Sequence, residues 1–215
     1  MKQAYRTGQG GPAQVKITAG TEDDLAAIVG ILNYTAANSI ARFETRPVSV
    51  AERRDWFGQF SATGPYRVVV ARGGDQVRGY ACSQRYRDHE AFRETVEVSI
   101  ALDVSCRGQG VGTALYRALF DSLALEPSVH VALAGIALPN DASVALHRKF
   151  GFTEVGTFRE YAIKNGQYIS SVWMQRGCHP GSPPPRNSRR EPLCDLNGWR
   201  VAVQGLDAVG ADGGC

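Results

Sequence analysis

Glu97, His147 and a run of glycines are the residues whose types and spacing suit chemistry. Glu97 stands in Thr95–Leu102 (TVEVSIAL), and the chain then passes through a short basic loop into Arg107-Gly108-Gln109-Gly110-Val111-Gly112-Thr113. The glycines predict a helix start. N–H groups at such a start lack intrahelical partners and the helix dipole adds positive potential, so anions bind there, phosphate above all. The first reading is therefore a cofactor pyrophosphate on this loop, with a carboxylate a few residues upstream for proton chemistry. Strand alternation puts Thr95, Glu97, Ser99 and Ala101 on one face, and Val96, Val98, Ile100 and Leu102 on the other. The apolar face is expected to pack on helices and the polar face to line a cleft. Partial desolvation there would raise a carboxylate pKa towards the range useful to a general base. The competing reading pairs Glu97 with Arg93.

Three phosphate-binding patterns compete for the glycine loop. A Walker loop needs Lys and then Ser or Thr after its last glycine, but Gly112 is followed by Thr113-Ala114. A dinucleotide fingerprint needs G-x-G-x-x-G and an acidic residue about 20 positions later. This loop is G-x-G-x-G, with no acidic residue ending a strand at that distance. What remains is R-x-x-G-x-G between strand and helix, or a glycine turn without a ligand.

The elements that must position these residues follow from pattern. Residues 15–19 form a short strand, and Thr21 caps a helix whose apolar face is Leu25, Ile28, Val29, Ile31 and Leu32. Residues 35–48 lack periodicity and read as a loop, after which Ser49 opens a second helix to about Phe60. Strands at 66–72 and 77–84 flank Gly73-Gly74-Asp75, a hairpin signal. The helix from the glycine loop carries Leu115, Ala118, Leu119 and Leu123 on one side. A central strand at 129–137, a helix after Pro139-Asn140-Asp141, and two strands around Lys164-Asn165-Gly166 complete the order. The result is an α/β fold, a mixed central sheet with helices on both faces.

The 215 residues suit one ordinary domain, and 43% hydrophobic residues permit a full core. A net charge of +3 gives no argument for nucleic acid, and no apolar run is long enough to span a membrane. Five cysteines without a CxxC pair argue against a disulfide framework and against a zinc site. A cytoplasmic protein with free thiols is expected, with residues 1–14 a disordered leader and 15–176 the domain. From Gly177 five of the ten prolines and seven glycines accumulate while four arginines balance four acids, so 177–215 reads as a disordered tail.

The R-x-x-G-x-G loop in this setting resembles the acyl-CoA loop of the GNAT superfamily of N-acetyltransferases. A closer likeness rests on Phe43-Glu44-Thr45-Arg46-Pro47, on Thr95-Val96-Glu97-Val98-Ser99, and on Leu138-Pro139-Asn140-Asp141-Ala142-Ser143 with Leu146-His147 and Gly151-Phe152. Val155-Gly156, Lys164 and Gly166 add to it. These residues resemble the phosphinothricin and methionine sulfoximine N-acetyltransferases, small L-amino-acid acetylases, over roughly 15–176. The resemblance implies the acyl-CoA N-acyltransferase fold, acetyl-CoA as co-substrate, no metal, a small primary amine as acceptor, and room for a homodimer. It assigns Glu97 the base role and places His147 in the active-site region. Acetyl transfer needs the amine neutral, so a base must take its proton. His147 would assist that removal or help protonate the leaving thiolate, the alternative being a structural helix histidine.

Cofactor contacts are expected from Arg107 to Thr113, from backbone N–H groups near Ile100, Ala101 and Leu102 facing the developing oxyanion, and from Asn140 and Ser143, each with a plain turn or helix-start alternative. For the acceptor, Phe43 is an expected apolar wall. Relatives carry F-R-x-R before T-V-E, giving guanidinium groups for a substrate carboxylate, whereas here Tyr86-Arg87-Asp88-His89 keeps Arg87 and replaces the second arginine by His89. Arginine forms bidentate carboxylate pairs that histidine cannot. Ala101 stands where the family usually has Tyr, which should enlarge the cleft, and Tyr168 and Ser170 replace a common Trp and Asp. Direct attack without an acyl-enzyme is expected, because neither Cys82 nor Cys106 is placed as a nucleophile. Other readings are acetylation of an antibiotic, a polyamine or a protein N-terminus, a non-catalytic acyl-CoA-binding module, and an interaction protein driven by its tail.

Overall fold

Alternating apolar residues build seven strands that hydrogen-bond into one sheet, in the order β1-β2-β3-β4-β5-β7-β6. The computed structural model describes residues 15–178. The leader expected at 1–14 and the tail from 179 onward lie outside the described residues. The strands are β1 (Lys16–Ala19), β2 (Arg67–Gly73), β3 (Gln76–Arg85), β4 (Thr95–Leu102), β5 (Val131–Leu138), β6 (Thr153–Lys164) and β7 (Gln167–Gly177). The helices are α1 (Leu25–Asn38), α2 (Val50–Phe57), α3 (Val111–Leu123) and α4 (Asp141–Lys149). The β-α-α-β-β-β-α-β-α-β-β order expected from pattern is the observed one. No helix among the described residues is long and apolar enough to cross a membrane.

Both faces of the sheet are covered. On one, α3 buries Leu115, Tyr116, Leu119 and Leu123 against Val96, Val98 and Met174. Each fully buried leucine contributes roughly 1.5–3 kcal/mol of transfer free energy. On the other, Ile28, Ile31 and Leu32 of α1 pack on Val68, Val70, Tyr80, Cys82 and Ala101.

β4 and β5 run parallel, while every other neighbouring pair is antiparallel. Their pairing covers only Thr95–Glu97 against Val131–Leu133. Beyond it the strands part, although β4 stays paired to β3 as far as Leu102 and β5 to β7 as far as Leu138. Backbone groups of Val98–Leu102 that face the gap therefore lack strand partners, and such groups need partners from elsewhere. Glu97 sits on the last rung before the opening.

Two helices differ from expectation. The second is shorter, with Ser49 as N-cap accepting from Glu52 N and the helix ending at Phe57. The first runs on through residues read as loop, to Asn38. Thr35 turns its hydroxyl back onto Ile31 O at 2.8 Å, which removes its polar cost inside the helix. Lys164, 128 residues away, donates to Ala36 O at 2.6 Å, Ser39 O at 2.9 Å and Arg42 O at 2.7 Å. Carbonyls at a helix C-terminus have no intrahelical donors, so this buried ammonium both caps α1 and fixes the loop after it.

Candidate active site

Local sequence explains how the glycine loop is shaped. Gly110 is the N-cap of α3 with φ of 81°, a left-handed conformation that costs a residue with a Cβ about 1–2 kcal/mol. At Gly112 an added Cβ would lie 3.3 Å from Leu146 Cδ2 and 3.6 Å from Ile100 Cδ1, so its absence lets α3 approach β4 and α4 closely. The loop from Arg107 to Gly110 is exposed, and its N–H groups lead into the helix start. Lys149 of α4, not anticipated from sequence, reaches Thr113 Oγ1 at 3.4 Å and adds a cation beside this end.

From that loop the gap between β4 and β5 leads inward. A cavity of about 340 Å³ is lined by Ile100, Ala101 and Leu102, by Arg107, and by Asn140 and Ser143. Asn140 is also the N-cap of α4, its Oδ1 accepting from Ser143 N at 3.2 Å, so its turn role is real and does not remove it from the cavity wall. A second cavity of about 510 Å³ continues beside it, walled by Arg42, Phe43, Gln84, Glu97, Tyr116 and His147. A third, about 800 Å³, holds Tyr86, Arg87, Phe92, Glu97, Phe158 and Trp173. Glu97 borders both the second and the third.

Burial raises the Glu97 pKa above the usual 4.5, while Gln84 and the Arg42 charge pull it back only in part. Gln84 faces Glu97 across the β3–β4 rung. Its Oε1 accepts from Trp56 Nε1 at 2.9 Å, which leaves the amide nitrogen for the carboxylate. Arg93 pairs instead with Glu94 at 3.4 Å. Cys82 is fully buried, which pushes its thiol up to about 12 and keeps it out of nucleophilic chemistry.

His147 is 3% exposed and its ring is bonded at both nitrogens. Nδ1 lies 2.7 Å from Ser143 O and Nε2 2.7 Å from the Tyr116 hydroxyl. A carbonyl oxygen only accepts, so Nδ1 carries the proton and Nε2 accepts from Tyr116. Desolvation lowers the His147 pKa, and the neutral ring is the form this arrangement holds. Tyr116→Phe would leave Nε2 buried without a donor, at a cost of about 1–3 kcal/mol. Urea unfolding should show that loss, with kcat falling because His147 is no longer held. Unchanged stability and kcat would contradict the pairing.

The acceptor positions fare differently. Phe43 lines the second cavity and makes an edge contact with Tyr161, ring centroids 6.1 Å apart. Arg87 lies over the Tyr86 and Phe92 rings at 5.2 and 5.5 Å. His89 caps a 3₁₀ turn, its Nδ1 accepting from Ala91 N at 3.1 Å, and lines none of the three cavities. Tyr168 is 70% exposed and lines none of them either. Ala101, the small residue expected to enlarge the cleft, lines the first cavity. Tyr80, directly across the strand pair and fully buried, packs with α1 around it. Tyr116, Gln84, Arg42 and Trp173 had no sequence signal, because each reaches the site through pairing with a distant element.

The sheet, the strand opening and the glycine loop define an acyltransferase class, and comparison with known proteins agrees. The Acetyltransferase (GNAT) family matches residues 33–152, and the chain belongs to that family as an N-acetyltransferase. It is 39% identical over 168 residues to a phosphinothricin N-acetyltransferase from Streptomyces coelicolor, covering 77% of this chain and 98% of that protein. It is 34% identical over 157 residues to an L-methionine sulfoximine/L-methionine sulfone acetyltransferase from Pseudomonas paraeruginosa, covering 73% and 91%. A phosphinothricin acetyltransferase from Sinorhizobium meliloti, solved in complex with acetyl-CoA, superposes with a TM-score of 0.71 at 31% identity, covering 83% of this chain and 97% of that one.

Proposed function

We propose that the protein transfers the acetyl group of acetyl-CoA to the primary amine of a small amino-acid-like acceptor, of the phosphinothricin or methionine sulfoximine type. The amine attacks directly and Glu97 acts as general base. The observation that carries this reading is the position of Glu97. It is a partly desolvated carboxylate on the last β4–β5 rung, bordering two cavities at once.

The residues present fit the donor. The exposed glycine loop and the start of α3, with Arg107 and Lys149, suit a pyrophosphate. Unpaired backbone along Val98–Leu102, with Asn140 and Ser143 opposite, suits an amide-bearing arm and offers N–H donors where oxyanion charge develops. Acetyl-CoA supplies the activated acyl carbon and a thiolate leaving group. Glu97 takes the amine proton as the N–C bond forms and the C–S bond breaks. The proton that Glu97 takes balances the one the departing thiolate gains, directly or through water, and the Tyr116–His147 pair walls the same cavity as Glu97.

The test is CoA release across a panel of amines, including phosphinothricin, methionine sulfoximine, polyamines, antibiotic amines and peptide N-termini. Saturable release with the amino-acid compounds is expected. Release only with an amine lacking a carboxylate would overturn the reading.

A further inference from the structure

Arg87 lies over two aromatic rings in the third cavity and His89 is turned into a cap, so a carboxylate held in the second cavity needs a cation of its own. The second cavity contains one. Arg42 extends from the loop that Lys164 holds through its carbonyl, and its side chain is 22% exposed. The guanidinium gives Nε–H to Glu44 Oε2 at 3.1 Å and one Nη–H to Oε1. Arg53 donates to that same Oε1. Two cations thus share one carboxylate and a full positive charge is left over. The other Nη of Arg42 has no partner among the described residues, and the buried Nε of Arg53 has none either.

This arrangement is built rather than incidental. Burial disfavours the Arg42 charge, and the ion pair with Glu44 opposes that, so the guanidinium keeps its charge at the cavity wall. Its charge also reaches Glu97, whose pKa it lowers. A guanidinium with one edge committed to Glu44 and one edge free is set for a second, bidentate anion.

We infer that Arg42, oriented by Glu44 and Arg53, binds the α-carboxylate of the acceptor and so determines specificity for amino acids over plain amines. The inference rests on the amino-acid reading of the site. The amine then lies towards Glu97, and the side chain extends into the aromatic cavity that Glu97 also borders.

The experiment uses matched acceptors, an amino acid accepted by the wild type and its decarboxylated amine, with kcat/KM measured for wild type, Arg42→Gln, Arg42→Lys and Arg87→Gln. Arg42→Gln should lower kcat/KM for the amino acid roughly 30-fold or more beyond its effect on the amine, mostly through KM. Arg42→Lys, which keeps the charge without the fork, should fall between and serves if the glutamine variant does not fold. Equal losses on both acceptors with either variant would overturn the assignment, as would the selective loss appearing in Arg87→Gln instead. A wild type that uses the amine better than the amino acid would refute the amino-acid reading itself, and this assignment with it.

Discussion

Replacing Glu97 by glutamine should lower kcat by about 10²–10⁴-fold, the usual contribution of a positioned general base. Glutamine is nearly isosteric and keeps a partner for Gln84, so the fold and the cavity shape should survive. Glu97 does not line the cavity formed by Ile100–Leu102, Arg107, Asn140 and Ser143. Acetyl-CoA affinity, measured by calorimetry, should therefore change little while turnover collapses. A parallel loss of acetyl-CoA binding would mean that Glu97 acts on structure rather than on the amine proton.

The second large effect is on stability and reaches the site indirectly. Lys164→Met removes the donor that serves the carbonyls of Ala36, Ser39 and Arg42. Lys164 is 5% exposed, so water cannot readily replace it. Hydrogen bonds to a charged group contribute about 1.5–3 kcal/mol each, and a buried carbonyl left unpaired costs about 1–3 kcal/mol. Contributions within one cluster do not add simply, and a total loss of about 3–5 kcal/mol is expected, at the upper end for single substitutions. Urea unfolding reads it as a lower midpoint with an unchanged slope. Activity should also fall, because the loop released carries Arg42 and Phe43 into the second cavity. A variant as stable as the wild type would show that the loop holds itself.

Lys164 also shows where sequence reading stops. The strand and helix order was legible because alternation, hairpin glycines and the Ser49 cap are local signals. The end of α1 was not legible, since the residue that satisfies its carbonyls lies 128 positions later. The same holds within the site. Glu97 and the glycine loop are marked by residue type and spacing. By contrast, Gln84 matters because it faces Glu97 across a strand pair, and Tyr116 because a histidine 31 positions on reaches its hydroxyl.

The central claim is that Glu97 takes the proton of the acceptor amine, and the pH dependence of kcat/KM tests it most directly. Burial raises the Glu97 pKa above the usual 4.5, so the base is available above that raised value and is lost as pH falls through it. The wild type should therefore show an acid limb displaced upward from ordinary carboxylate titration. The limb should disappear in Glu97→Gln, leaving a low rate that no longer falls there. A variant that kept both the wild-type rate and the same acid limb would contradict the account.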